Sequence, residues 1–327
     1  MTRVLFRVDA NDKIGRGHLS RCIAAAEMLK HDFQVCFILL KSSREFVEGQ
    51  LGDYTVKYLE NEGELKGLVT ERDILCVDGY SFDVDWRGWI KPYVYKLIII
   101  DDLPEPLKFV DVIVNYAPGI NRKLYTGTDA THLLTGLKYV LLRPHFLEYA
   151  RQQVEQMRHK NGVFVCFGGA DPMNLGQLFV EQLLKEGFED NIILVTNKPL
   201  SRVTGEDVQN LSIVSGLSEN EMIHYIKSVR VAVVSASVLS FEVAALRVPS
   251  FCFYYVDNQR LIYKGLIEEK AICGGGLVKN QEDVKRSINS FMEFYDNPFL
   301  QNRIIAKQKE LIDGESGERL REFMNQL

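Results

Sequence analysis

The sequence predicts two Rossmann-like α/β domains, each a parallel sheet covered by helices on both faces, turned toward a central cleft. Three observations predict it. Short apolar, β-branched runs alternate with helix-period segments along most of the chain, the βαβα rhythm of a parallel sheet. Runs such as "KLIII" are apolar on both faces, as suits strands covered on both sides. And 327 residues with 46% hydrophobic composition suffice for two domains, each with its own core.

The first domain is placed at residues 1–150. Its strands are expected at Val4–Val8, Gln34–Leu40, Thr55–Leu59, Ile74–Val77, Leu97–Ile100 and Val112–Val114. Helical patterns fall at Leu19–Leu29, at Ser43–Leu51 and around Trp86–Ile90. The charged stretch between Glu148 and Lys160 reads as the connection. The second domain, 151–327, has expected strands at Val163–Phe167, Ile192–Val195, Ser212–Val214, Val231–Val234 and Ser250–Tyr254. Its helical patterns lie at Leu175–Lys185, Glu219–Ile226, Val238–Leu246 and Arg260–Lys270. Helical periodicity continues from Asp283 to Leu327, and the final helices are expected to pack back on the first domain.

Composition removes several classes. A net charge of −5 with no basic stripe argues against a nucleic-acid partner. No apolar run is long enough to span a bilayer, and no basic amphipathic surface is evident, so no membrane partner is expected. The six cysteines form no CxxC pair and mostly sit in apolar runs. They read as small core residues of a reducing, cytoplasmic compartment. The chain enters a strand at once, with no signal-peptide pattern. There is no P-loop, GxSxG or HExxH, and His132, His145, His159 and His224 lack ligand spacing. Neither a metal nor another cofactor is expected. A small anionic substrate remains compatible, because helix N-termini supply local positive potential.

In parallel sheets, ligands bind outside the carboxyl ends of the strands, so the loops that follow strands carry the functional reading. In "DANDKIGRGHLSR", Gly15-x-Gly17-x-x-Ser20 approximates a dinucleotide fingerprint. That fingerprint wants an acidic residue where Lys41 stands. The glycines instead let the backbone approach a ligand. His18 then sits in the first turn of the helix, where a neutral imidazole can accept a proton, and Arg21 lies one turn on. Asp78 and Tyr80 follow a buried strand and can face the cleft. Asp83 and Asp85 are better placed to cap a helix than to hold a metal. Asp101 and Asp102 either orient loops or end a strand.

In the second domain, "FGGADPMN" places Gly168, Gly169 and Asp171 between a strand and a helix. This suits backbone N–H groups facing a diphosphate, or equally a tight turn closed by an Asp cap. Ser235 and Ser237 are small enough to admit a phosphate at the next helix start, and Glu242 could accept hydrogen bonds from a ribose diol. Backbone around Leu217 could read a base edge, in a turn whose Ser218 and Glu221 form a capping box. Asn258 and Gln259 are paired amides suited to sugar hydroxyls or a carbonyl.

Together these blocks carry a resemblance. "FRVDANDKIGRGHLSR" resembles the N-terminal signature of the UDP-2,4-diacetamido-2,4,6-trideoxy-β-L-altropyranose hydrolase family of pseudaminic acid biosynthesis. "VDGY", "IDD", "FGGADPMN", "SASVLSFEVAAL" and "DNQ" follow in that family's order. The resemblance implies a GT-B fold, related to the peptidoglycan N-acetylglucosaminyltransferase, with the nucleotide held mainly by the second domain. It implies His18 as catalytic base and Tyr80 near the sugar. It places the diphosphate on Gly169 and Ser237, the ribose on Glu242, the uracil beside Leu217, and Asn258 and Gln259 near sugar or phosphate. The implied reaction is metal-independent, inverting cleavage of the anomeric C–O bond of a UDP-sugar. The rival expectations are a GT-B glycosyltransferase with a sugar or lipid acceptor, and a nucleotide-sugar sensor without turnover. A UDP-N-acetylglucosamine 2-epimerase would share the layout, but "GRGHLSR" does not look like its signature.

Overall fold

The structure, a computed structural model, describes residues 2–10, 17–152, 160–169, 171–198 and 209–327. It divides into two compact units, Met1–Leu147 with Glu315–Leu327, and Glu148–Gly314. The connecting stretch expected from the sequence lies partly outside the described residues.

The first unit holds seven parallel strands: β1 (Arg3–Val8), β2 (Gln34–Leu40), β3 (Thr55–Leu59), β4 (Ile74–Asp78), β5 (Lys96–Ile100), β6 (Val112–Asn115) and β7 (His132–Thr135). Their order is β3-β2-β1-β4-β5-β6-β7. The order therefore reverses between β1 and β4, which pair with Val8 opposite Asp78. Such a switch point leaves a crevice at the carboxyl ends of the two strands. Helix α1 (Gly17–Leu29) follows β1. It buries residues on most of its circumference, His18, Arg21 and Cys22 among them.

Two details of this unit depart from the sequence reading. The helix expected over Ser43–Leu51 is a single turn, α2 (Arg44–Val47). Gly49 and Gly52 lie beyond it at positive φ, a conformation that ends helical propagation. Strand β7 gave no expectation, because "HLLT" is four residues long with an exposed histidine at its start. Helix α3 (Val84–Ile90) begins as the spacing predicts, with the Asp83 side chain accepting from the Trp86 N–H at 2.8 Å.

The second unit has six parallel strands: β8 (Val163–Cys166), β9 (Ile192–Val195), β10 (Leu211–Val214), β11 (Val231–Ser235), β12 (Ser250–Tyr254) and β13 (Cys273–Leu277). Their order is β10-β9-β8-β11-β12-β13, so the switch point falls between β8 and β11. Strand β13 escaped prediction because "CGGGL" has low strand propensity. The glycines answer to packing: a Cβ at Gly274 would lie 2.2 Å from the Tyr263 hydroxyl, and one at Gly275 2.2 Å from the Phe253 ring. The core is strongly aromatic, with Phe179, Phe251, Phe253 and Phe291 in mutual edge contacts. All six cysteines are free thiols, five of them buried.

The chain passes between the units twice. Helix α4 (Pro144–Arg151) carries the first passage. The boundary drawn from sequence at residue 150 lies three residues beyond the end of the first unit's opening segment. The second passage follows the helix α10 (Pro298–Leu311) and leads to α11 (Ser316–Asn325), which belongs to the first unit. There α11 packs on α1, with Gly317 close to Met28, and buries Leu320 and Met324.

Candidate functional site

The chemistry gathers at the switch point of the first unit. Because β1 and β4 are neighbours in register, the helix leaving β1 lies against the last residue of β4. His18, Arg21 and Cys22 have i, i+3 and i+4 spacing and so share one face of α1. All three touch Asp78. His18 Nδ1 is 2.5 Å from Asp78 Oδ1. Arg21 donates to both Asp78 oxygens, Nε to Oδ2 at 2.5 Å and Nη2 to Oδ1 at 2.6 Å. The Cys22 thiol lies 3.5 Å from Oδ2.

Asp78 is 0% exposed and His18 only 5%. Burial by itself would push the Asp78 carboxyl up. The Arg21 charge and the hydrogen bonds from Arg21 and His18 outweigh it and hold that carboxyl below its usual value. For Arg21, burial works against the charge, but Asp78 and Asp102 keep it charged well past the ordinary guanidinium range. The result is a buried, paired, charged constellation rather than a solvated one.

This corrects one expectation. Asp78 was placed among the residues contacting substrate, yet it is sealed beneath α1 with its oxygens committed to His18, Arg21 and Cys22. It orients the imidazole. A carboxylate at 2.5 Å from Nδ1 fixes the proton on that nitrogen, and Nε2 is then the basic one. The Arg21 Nη2 lies 3.2 Å from the same Nδ1. That longer approach is a neighbour of the ion pair rather than a competing bond, because a protonated Nδ1 has no lone pair to offer.

Asp102, just after β5, resolves the ambiguity left at "IDD". It accepts from Arg21 Nη1 at 3.0 Å and from the Tyr80 hydroxyl at 3.2 Å. Asp101 turns elsewhere, accepting from the Tyr125 hydroxyl and from Asn115. Tyr80 is 52% exposed and meets the His18 ring edge-on, with centroids 4.9 Å apart and planes at 87°. Arg21 also reaches the buried Tyr116 hydroxyl. Gly17 is exposed, and among the described residues nothing lies within 4 Å of a Cβ placed there. Gly15 lies outside the described residues.

The loop carrying Tyr80 is pinned from below. Ser81 donates to Asp9 at 2.5 Å, and Arg7 lies over the Phe82 ring at 5.1 Å. A Cβ at Gly79 would fall 2.5 Å from the Asp9 carboxylate, so only glycine lets the loop approach this closely. Asp9, Ser81, Asp102 and Tyr116 were not foreseen as parts of one assembly. Position after a strand was the available signal for Asp9 and Asp102.

In the second unit the predicted residues follow the carboxyl ends of β8, β10, β11 and β12. Gly168, at φ 87°, turns the chain out of β8 in a conformation that favours glycine, and Gly169 follows. Asp171 closes the helix α5 (Leu175–Lys185) rather than presenting its carboxylate to a ligand. Its two oxygens accept from Leu175 N at 2.8 Å and Gly176 N at 3.0 Å. Burial, opposed by those amides, pushes its carboxyl up. The expected diphosphate turn thereby narrows to Gly168 and Gly169.

Ser235 ends β11 and its hydroxyl lies 3.1 Å from that of Ser237, at the start of α7 (Val238–Ala245). Glu242, 9% exposed, is in the same helix. Tyr255, which sequence reasoning passed over, donates to the Phe167 carbonyl at 2.8 Å and so ties the end of β12 to the turn after β8. The Gln259 carbonyl accepts from the Tyr255 N–H at 3.1 Å, which occupies one face of that amide. Asn258 and Gln259 both lie in the first turn of α8 (Asp257–Glu268). Leu217 follows the edge strand β10, and Ser218 caps α6 (Glu219–Ser228) in the predicted capping box with Glu221. The Cys166 thiol beneath the turn is pushed by burial to about 12, so it stays protonated at neutral pH.

The two units, each doubly wound about a switch point, define the class. The fold is that of the GT-B glycosyltransferases. Solved structures similar to this chain include MurG of Acinetobacter baumannii (TM-score 0.65, 13% identity, 100% of both chains). Another is Phytolacca americana UGT2 complexed with UDP-2-fluoro-glucose and pterostilbene (TM-score 0.67, 12% identity, 100% of this chain and 99% of that one). Within that class the chain is a relative of the UDP-2,4-diacetamido-2,4,6-trideoxy-β-L-altropyranose hydrolase of Campylobacter jejuni, 26% identical over 267 residues, covering 79% of this chain and 93% of that protein. It is also 24% identical over 287 residues to an uncharacterized protein of Methanocaldococcus jannaschii, covering 82% of this chain but only 58% of that protein's length. No family model matches the chain. Among the described residues no helix is long and apolar enough to cross a membrane.

Proposed function

We propose that this protein is an enzyme acting on a UDP-sugar, and that it hydrolyses the anomeric C–O bond to release UDP and the free sugar. The observation that carries the reading is the Asp78–His18 pair at the switch point of the first unit. A histidine whose Nδ1 proton is held by a buried carboxylate offers Nε2 as a general base. The relative from Campylobacter jejuni, named as a hydrolase of a UDP-linked diacetamido sugar, points the same way.

In this reading His18 Nε2 takes a proton from water as the water oxygen bonds to the anomeric carbon. The bond from that carbon to the UDP oxygen breaks with inversion, and UDP leaves with the electron pair. A diphosphate needs little protonation to depart. Backbone N–H groups at the turn after Gly168 and at the start of α7 would stabilise its charge. Glu242 would hold the ribose, backbone near Leu217 the uracil, and Asn258 the sugar or phosphate. Tyr80, exposed beside His18, would contact the sugar. Gly17 and Arg21 share the helix start with the base, and Gly15, expected beside the substrate, lies outside the described residues.

The GT-B fold is shared with glycosyltransferases, which favours one rival, transfer of the sugar to an acceptor. Incubation with a panel of UDP-acetamido sugars and no acceptor separates the two. Hydrolysis predicts stoichiometric UDP and free sugar, whereas UDP release that requires an added acceptor overturns it. In ¹⁸O-water the label is expected on the sugar, and label on UDP would exclude C–O cleavage.

A further inference from the structure

We propose that Asp102 is a positioning residue for His18, acting through Tyr80; this rests on His18 being the base. A hydrogen bond to Asp78 holds one nitrogen of the imidazole but leaves the ring able to tilt about that contact. Restricting the tilt requires a second surface against the ring. Tyr80 supplies it, standing edge-on at 87° with centroids 4.9 Å apart. Tyr80 is about half exposed, so where its hydroxyl is anchored bears on where the ring stands. Its hydroxyl reaches back to both Asp102 oxygens at 3.2 Å.

Asp102 is itself held by a 3.0 Å ion pair with Arg21 Nη1. The same guanidinium grips Asp78 through Nε and Nη2. A planar fork fixes its partners relative to one another in a way a lysine would not. Arg21 thus sets the two carboxylates in one frame: Asp78 holds the imidazole at Nδ1, and Asp102 holds the ring that flanks it. The sequence distances are large, 57 and 81 residues from Arg21, so the frame exists only once β1, β4 and β5 are side by side.

The test uses the whole chain carrying ¹³C-labelled histidine, with the His18 ring signal assigned by its loss in His18→Asn. Asp102→Ala is expected to shift that signal without any substrate present, because the Tyr80 ring no longer lies against it. Tyr80→Phe should shift it in the same sense, and the double variant should add nothing to either. Asp102→Asn keeps an acceptor oxygen for Tyr80 and should stay nearer the wild type, which also covers poor folding of the alanine variant. With a turned-over UDP-sugar, kcat should fall about tenfold in Asp102→Ala and in Tyr80→Phe, again without compounding. An unmoved His18 signal in Asp102→Ala, or losses that multiply in the double variant, would overturn the proposal. A shifted signal in a protein that turns over no UDP-sugar would leave the positioning intact and reject the hydrolase reading instead.

Discussion

His18 carries its proton toward Asp78, and replacing Asp78 by Asn changes which nitrogen that proton occupies. An amide N–H facing Nδ1 favours the opposite tautomer and removes the basic Nε2. Asp78→Asn is therefore expected to slow UDP release about 10²- to 10⁴-fold, as His18→Asn should, while UDP affinity stays near that of the wild type. A kinetic series with UDP binding measured by calorimetry checks both. The same carboxylate links stability to pH. Burial opposes its charge, but Arg21 and His18 hold it below its ordinary value of 3.8. Its contribution is thus fully present above that value and is lost as pH falls below it. The gap in urea midpoint between wild type and Asp78→Asn should narrow on acidification below pH 3.8, and a gap independent of pH would contradict the charged state assigned here.

At the level of elements, turns decide where the side chains land. Gly79→Ala places a methyl group 2.5 Å from the Asp9 carboxylate, which is already bound by Ser81. The loop must move, carrying Tyr80 with it. The variant is expected to lose activity while affinity for UDP stays near that of the wild type, checked by comparing turnover with nucleotide binding. In the second unit, the capping box of α6 predicts a milder effect. Ser218→Ala removes an acceptor for the Glu221 N–H and should lower stability by about 1 kcal/mol, read from denaturant unfolding. Arg247 is a further structural tie between distant segments. It is 1% exposed, and its guanidinium donates to the carbonyls of Ala244, Gln308, Ala150 and Ile312. Burial lowers it to about 10. One side chain thus ties the end of α4 to the segment that follows α10, near both passages of the chain out of the second unit.

For the whole molecule, the return of the last helix makes the first unit discontinuous in sequence. Leu320 and Met324 of α11 are buried against it, over an apolar gap lined by Phe6, Leu29 and Cys76. Deleting Glu315–Leu327 exposes that surface and should cost the first unit about 3–6 kcal/mol, from two large apolar side chains. Limited proteolysis of the truncated chain should then cut within residues 1–147 before it cuts the second unit.

The sequence alone determined the layered class of the fold, because buried parallel strands and amphipathic helices leave different periodicities. It also marked the loops after β1, β4, β8 and β11, since glycines and small hydroxyl residues there answer to local backbone geometry. Helix caps at Asp83 and Ser218 were legible for the same reason: their partners lie three residues away. Strands β7 and β13 were not legible, being short, polar or glycine-rich, with glycines set by contacts from Tyr263 and Phe253. Asp171 read equally as a cap or a ligand until its oxygens were seen on the α5 amides. Only the tertiary structure decided that Asp78 orients His18, that Asp102 rather than Asp101 joins Arg21 and Tyr80, and that Tyr255 ties β12 to the turn after β8. Those partners are 22 to 88 residues apart. No local pattern encodes such pairs, because they meet only where the sheet order sets the carboxyl ends of non-consecutive strands beside each other.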